Sequence, residues 1–124
     1  QKAETAEEKY PEVEKKPEIT IDDFDKVQIQ VGEVIKCEPV PKAKKLLVSQ
    51  IKIGAETRQI VSGIAKYYKP EEMVGKKVAV ITNLKPCKLC GVESQGMILA
   101  AGDDEGNLSV VTVDKDIVSG SEIC

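Results

Sequence analysis

The segment KVQIQVGEVIKCEPV keeps a two-residue apolar period and then breaks it. Val27, Ile29 and Val31 alternate with polar side chains, as on a strand with one buried face. Val34 then follows Val31 at three residues, with Gly32 between them. A strand that changes phase at a glycine must bulge or coil. The first strand of a small closed barrel has to do this, so the phase break narrows the fold more than any other feature.

The chain that follows reads as more short strands. In LLVSQIKIG, Leu47, Ser49, Ile51 and Ile53 share one face and Leu46, Val48, Gln50 and Lys52 the other. RQIVSG, KKVAVITNL and MILAA supply a third, fourth and fifth strand, and a turn at Gly106-Asn107 leads into LSVVTV and a closing DIVSGSEIC. Between the third and fourth strands, IAKYYKPEEMVG is expected to be helical, with Pro70 opening a turn and Gly75 ending it. Thr20 or Asp22 caps a short turn that carries Phe24, expected as a plug for the barrel. The expected class is therefore all-β. Its order matches an OB-fold, a five-stranded Greek-key barrel with a small helix between strands 3 and 4, here with a C-terminal strand extension. Other small barrels share the pattern.

Residues 1–18, QKAETAEEKYPEVEKKPE, are acidic, carry Pro11 and Pro17 and offer few apolar anchors. They are expected to form a flexible linker, in which a helical turn at Ala3–Lys9, the alternative, would have nothing obvious to pack on, and residues 19–124 to form the folded domain. The chain opens on Gln1 rather than methionine, as a fragment or processed product does. Neither a membrane span nor a signal-peptide core is visible, which makes the cytoplasm the expected location.

Charge is strongly partitioned. The net charge of -3 hides a middle section, residues 26–102, with 13 Lys or Arg against 6 acidic residues, between flanks that are both acidic. A basic centre of this kind suits a polyanion, although it also describes an ordinary solvated surface. Catalysis has poor materials: the chain lacks histidine, the commonest general base and metal ligand. No cofactor is expected. Cys87-Lys88-Leu89-Cys90 is a C-x-x-C pair. Zinc would need two more ligands, and a thioredoxin-like site would need a βαβ setting that the pattern lacks. Free thiols are the plain reading, with a disulfide open to an oxidised sample.

The segment most informative about function is NLKPCKLCGVESQGMILAA. Lys85 and Lys88 flank Pro86, so positive charge sits on a stiff loop; Gly91 and Gly96 permit tight turns, and Ser94 and Gln95 offer short polar contacts. Charge, backbone donors and short polar groups are what a phosphate–sugar surface asks for. The same residues also describe a barrel loop with two solvated lysines. The aromatic residues are only Tyr10, Phe24, Tyr67 and Tyr68, too few for a fold that stacks single-stranded bases, so a folded RNA read by shape fits better.

With RQIVSGIAKYYKPEEMVGKKVAVITNL, this stretch resembles the tRNA-binding domain appended to bacterial methionyl-tRNA synthetases. It is similar too to the free-standing bacterial tRNA-binding protein and the endothelial monocyte-activating polypeptide family. The likeness runs from about Ile19 to the C-terminus. It implies an OB-fold that binds the tRNA body with little sequence preference, catalyses nothing, forms a homodimer and is joined to a synthetase body through the N-terminal linker. The RNA-contacting loop it implies is Asn83, Lys85, Lys88, Ser94 and Met97, although Met97 taken alone is a core-type side chain. Lys42, Lys44 and Lys45 fall where the family is variable, and their inclusion rests on charge. The family pattern KPRKLRGVES meets Cys87 and Cys90 here in place of both arginines, and VDLRVG meets Gln28 and Gln30. Three basic side chains are thus absent, and lysine does not reproduce an arginine's bidentate fork. A dimerisation or scaffold module with weakened RNA binding is the rival reading; a thiol-redox protein is a third.

Overall fold

The computed structural model describes residues 10–124. Its elements, in order, are α1 (Ile21–Phe24), β1 (Ile29–Val40), β2 (Ala43–Ile53), β3 (Glu56–Ser62), α2 (Pro70–Met73), β4 (Lys77–Ile81), β5 (Cys87–Leu89), β6 (Val92–Ser94), β7 (Met97–Ile98), β8 (Ala100–Gly102), β9 (Leu108–Val110) and β10 (Glu122–Ile123). The main sheet is antiparallel in the order β3-β2-β1-β4-β7, with β10 added beside β1. The expected OB barrel is present, with its helix α2 between the third and fourth strands.

Three strands pair with β1: β10 at Ile29 and Gln30, β4 along Ile29–Glu33, and β2 along Glu33–Val40. The buried side chains along it are Val31, Val34, Cys37 and Val40, a three-residue period that marks a coiled strand. The bulge lies between Val34 and Lys36, slightly later than the phase break at Gly32. Gly32 has a different task. A Cβ there would meet Ile51 Cγ2 at 2.5 Å, so only glycine lets β1 pass this close to β2's inner face.

On β2 the expected alternation holds: Leu47, Ser49, Ile51 and Ile53 are buried. Ile51, Ile60, Met73, Val78 and Val80 are fully buried within one apolar cluster. The barrel closes without a regular ladder between β3 and β7. Gln95 N donates to Gln59 O (2.7 Å), Gln59 N to Gln95 Oε1 (3.0 Å) and Val61 N to Ser94 Oγ (2.9 Å). Side-chain oxygens thus satisfy strand donors that a neighbouring backbone would otherwise serve.

Several expectations are corrected. The helix drawn over Ile64–Gly75 is one turn, Pro70–Met73, preceded by a tight turn at Ile64–Tyr68. Lys69 is extended (ψ 150°), because the proline ring that follows excludes the helical region there. Phe24 does not plug the barrel. It is 39% exposed on α1, a single turn held by a Thr20–Asp23 capping box, and Met73 is the helical side chain buried in the core. MILAA divides into β7, which pairs with β4, and β8, which pairs with β9. Residues 10–20 carry no regular structure and are exposed; Glu12 N donates to Asp104 Oδ2. The alternative of a helical segment at Ala3–Lys9 lies outside the described residues.

Candidate nucleic-acid interface

The stretch from Asn83 to Gly96 leaves the barrel after β4 and returns as β7, and its middle is the β5–β6 hairpin. Asn83 anchors its root. Its Oδ1 accepts from Gln28 N (2.9 Å) and its Nδ2 donates to Lys26 O (2.6 Å), clamping the end of β4 to the chain entering β1. Next to it Thr82 Oγ1 donates to Gln30 Oε1 (2.8 Å), and Gln30 Nε2 donates to Gly120 O (2.8 Å). Gln30 is thereby tied into the frame.

Pairing in the hairpin is Cys87↔Ser94, Lys88↔Glu93 and Leu89↔Val92. The two-residue turn between the strands has positive φ at both positions, Cys90 (50°) and Gly91 (81°), as a type I′ turn requires. Cys90 is the only non-glycine residue with positive φ among the described residues. Both thiols are exposed and no disulfide is formed. Three residues along an extended chain put their Cα atoms about 9 Å apart, beyond the roughly 7 Å that a disulfide can bridge. Oxidation within this pair would therefore have to unzip the hairpin. No group of three or more metal-ligating side chains occurs among the described residues.

The structure separates the expected RNA-contacting residues by environment. Lys85 and Lys88 are exposed and enter no ion pair among the described residues. Lys88 stands opposite Glu93, which lowers the net charge of that face. Met97, at 43% exposure, is on the surface rather than in the core. Ser94 is 3% exposed; its hydroxyl accepts from Val61 N and donates to Gly96 O, so it shapes the arm from within. Lys42 lies in the turn between β1 and β2, and Lys44 and Lys45 open β2; all three are exposed. No hydrogen bond or ion pair joins that turn to the arm among the described residues.

One residue escaped the sequence reading. Arg58 is half-buried at the mouth of the barrel, where Nη1 donates to Thr82 O and Gln95 O and Nε to Glu56 Oε2 (2.7 Å). With Thr57, Thr82, Leu84, Pro86 and Gln95 it lines a shallow groove of about 350 Å3 beneath the arm. Its only sequence signal was membership in the RQIVSG block.

A family model described as "Putative tRNA binding domain" matches residues 29–122. The methionine–tRNA ligase of Methanocaldococcus jannaschii is 61% identical over 110 residues, which is 89% of this chain and 17% of the ligase. That of Bacillus subtilis is 56% identical over 122 residues, 98% of this chain and 18% of the ligase. The chain thus spans under a fifth of the length of these curated relatives. Among solved structures, a MetRS-related protein from Pyrococcus horikoshii superposes with a TM-score of 0.83 at 38% identity, covering 88% of this chain and all of that one. A chaperone CsaA from Bacillus anthracis shares the fold, with a TM-score of 0.79 at 21% identity over 87% of this chain and all of that one. The chain belongs to the tRNA-binding domain family, and is a binding domain rather than a catalytic one.

Proposed function

We propose that this domain holds the body of tRNA by shape and charge, with little preference for base sequence, as an appendage of a methionine–tRNA ligase. The observation that carries the reading is the arm itself. Lys85 and Lys88, with no ion-pair partner among the described residues, project from a segment whose root is clamped by Asn83 and whose return is fixed by Ser94 and Gln95. A stiff support leaves little backbone freedom to lose when phosphates bind. Lys42, Lys44 and Lys45 add positive charge on the β1–β2 hairpin, and Met97 adds apolar contact beside the arm. Tethered to a catalytic body through residues 1–18, such a domain raises that body's effective affinity for its tRNA.

The domain acts as a homodimer in this proposal. α1 and the C-terminal segment leave Ile21, Phe24, Val27, Ile117 and Val118 exposed, apolar surface that a second copy would cover. A scaffold reading with weakened RNA binding draws on two observations: the uncharged Cys87 and Cys90, and Glu93 opposite Lys88. Sedimentation at micromolar concentration tests the dimer, which should run at twice the 13.5 kDa chain mass.

A salt titration of tRNA binding tests the RNA reading. Log affinity should fall linearly with log salt, and Lys85→Glu with Lys88→Glu should weaken different tRNAs alike, by about tenfold or more near 0.1 M salt. Unchanged affinity and slope in the double variant would remove the arm from the RNA surface and leave the scaffold reading.

A further inference from the structure

The arm leaves the barrel at Thr82 and returns at Gln95, and the ladder beneath it is short. β4 and β7 share only two registered pairs, Val80↔Ile98 and Ile81↔Met97. Beyond them the two chains part, and residues 83–90 are exposed throughout. Asn83 ties the root of the arm to the chain entering β1, while Ser94 and Gln95 tie its return to β3. Each of these clamps holds one end. Arg58 holds two: its Nη1 donates to Thr82 O on the outgoing chain and to Gln95 O on the returning one. Among the described residues no other side chain hydrogen-bonds to both ends of the arm.

The bridge needs an arginine. A planar guanidinium fixes the directions of its donors, so one group reaches both carbonyls through Nη1 and Glu56 Oε2 through Nε, at 2.7 Å. A lysine ammonium is a compact point charge on a flexible stem and does not reproduce that fork. Two features mark Arg58 as a support rather than an RNA contact. Its side chain is 25% exposed, so most of it is withheld from a ligand on the surface. Glu56 also offsets its charge at the barrel mouth, which leaves Lys85 and Lys88 as the unpaired cations of this region.

We infer that Arg58 is the positioning residue of the RNA surface: by bridging the neck it holds the arm in its binding geometry before RNA arrives, and it touches no phosphate itself. The inference rests on the RNA reading above and deepens it, because it separates what places the arm's charge from the charge itself. An unbridged neck would have to be ordered on binding, and that ordering would be subtracted from the binding free energy. The phosphates neutralised would be the same, since the lysines are unchanged. Affinity should therefore fall with no change in salt slope. A lost phosphate contact would lower both.

The test compares the whole chain with Arg58→Lys, which keeps the charge, and Arg58→Gln, which removes it. Each is followed by salt titration of tRNA binding and by amide hydrogen exchange of the free protein. Both variants should bind tRNA about tenfold more weakly, with log–log salt plots parallel to that of the wild type. Exchange in β5 and β6 should accelerate about tenfold more than exchange in β1 and β2, because the arm opens locally while the barrel stays closed. If lysine restored wild-type affinity and glutamine alone bound weakly, with a slope shallower by about one phosphate, Arg58 would be an RNA contact and the inference would fall. Equal acceleration of arm and barrel would reduce Arg58 to a general contributor to stability, and wild-type affinity in both variants would leave the bridge without a role in binding. Either result overturns the inference while the RNA reading stands. Failure of the wild type to bind tRNA even at low salt would end both.

Discussion

The barrel wall and the arm that rises from it are held by different forces. Strands β1 to β4 meet across a largely apolar interior in which Ile51, Ile60, Val78 and Val80 have almost no exposed surface. Their positions follow from burial. The stretch from Asn83 to Cys90 is exposed throughout. Clamps at its ends, a two-residue turn and a short ladder hold it, with very little apolar packing. The part with almost no core is the part that carries Lys85 and Lys88. Binding to a polyanion needs charge held in place rather than burial, and the arm obtains its placement from hydrogen bonds to a frame that burial has already made rigid.

Truncating the wall should separate the two regions most strongly. Ile60→Ala removes a fully buried side chain and should destabilise the domain by about 2–5 kcal/mol, read by urea or thermal unfolding. Below its new melting temperature the folded variant should bind tRNA with nearly wild-type affinity and an unchanged salt slope. If affinity fell while the protein remained folded, wall and arm would not be separable. The same contrast explains what could be read from the sequence. The face made by Leu47, Ser49, Ile51 and Ile53 was legible because a strand's period reports burial directly. Phe24 misled, since an aromatic side chain near a barrel entrance is placed by whether its short helix packs at all. The roles of Ser94 and Gln95 were invisible. Their partners Val61 and Gln59 lie more than thirty residues earlier, and no local pattern announces a serine that stands in for a strand. Lys69 shows the remaining kind of error, in which an amphipathic look carried a helix across a pre-proline position that cannot hold it.

Adding charge to the arm should sharpen the comparison from the other side. Cys87→Arg with Cys90→Arg places two guanidinium groups on exposed hairpin positions where the family pattern carries them. tRNA affinity should rise by about tenfold at moderate salt, with a steeper salt slope, and stability should stay within about 0.5 kcal/mol. An unchanged slope would mean that the hairpin faces away from the RNA.

The turn at the arm's tip can be improved without altering charge. Cys90 occupies a left-handed conformation (φ 50°) that asparagine tolerates far better, and an Asn-Gly pair is the favoured type I′ turn. Cys90→Asn should therefore add about 0.5–1 kcal/mol, roughly a 3 °C rise in melting temperature, and leave RNA affinity unaltered. Destabilisation would show that the Cys90 thiol makes a contact the hairpin needs.

The smallest effect concerns alkaline pH and returns to the wall. Burial pushes the Cys37 thiol above its ordinary range; the hydrogen bond donated by Ser49 Oγ opposes this more weakly, and Glu38 adds to the rise. The unfolded chain therefore ionises this thiol at a lower pH than the folded one does. The contribution is fully present below the unfolded value and is lost as pH rises through the folded value, because over that interval only the unfolded chain gains from losing the proton. Unfolding followed from pH 8 to pH 10.5 should show stability declining over this window, and Cys37→Val should flatten the decline. The comparison must be made on slopes, since the substitution also exchanges one buried volume for another and leaves Ser49 Oγ without its acceptor. If Cys37→Val left the slope unchanged, burial of this thiol would not be what sets the alkaline limit of the wall.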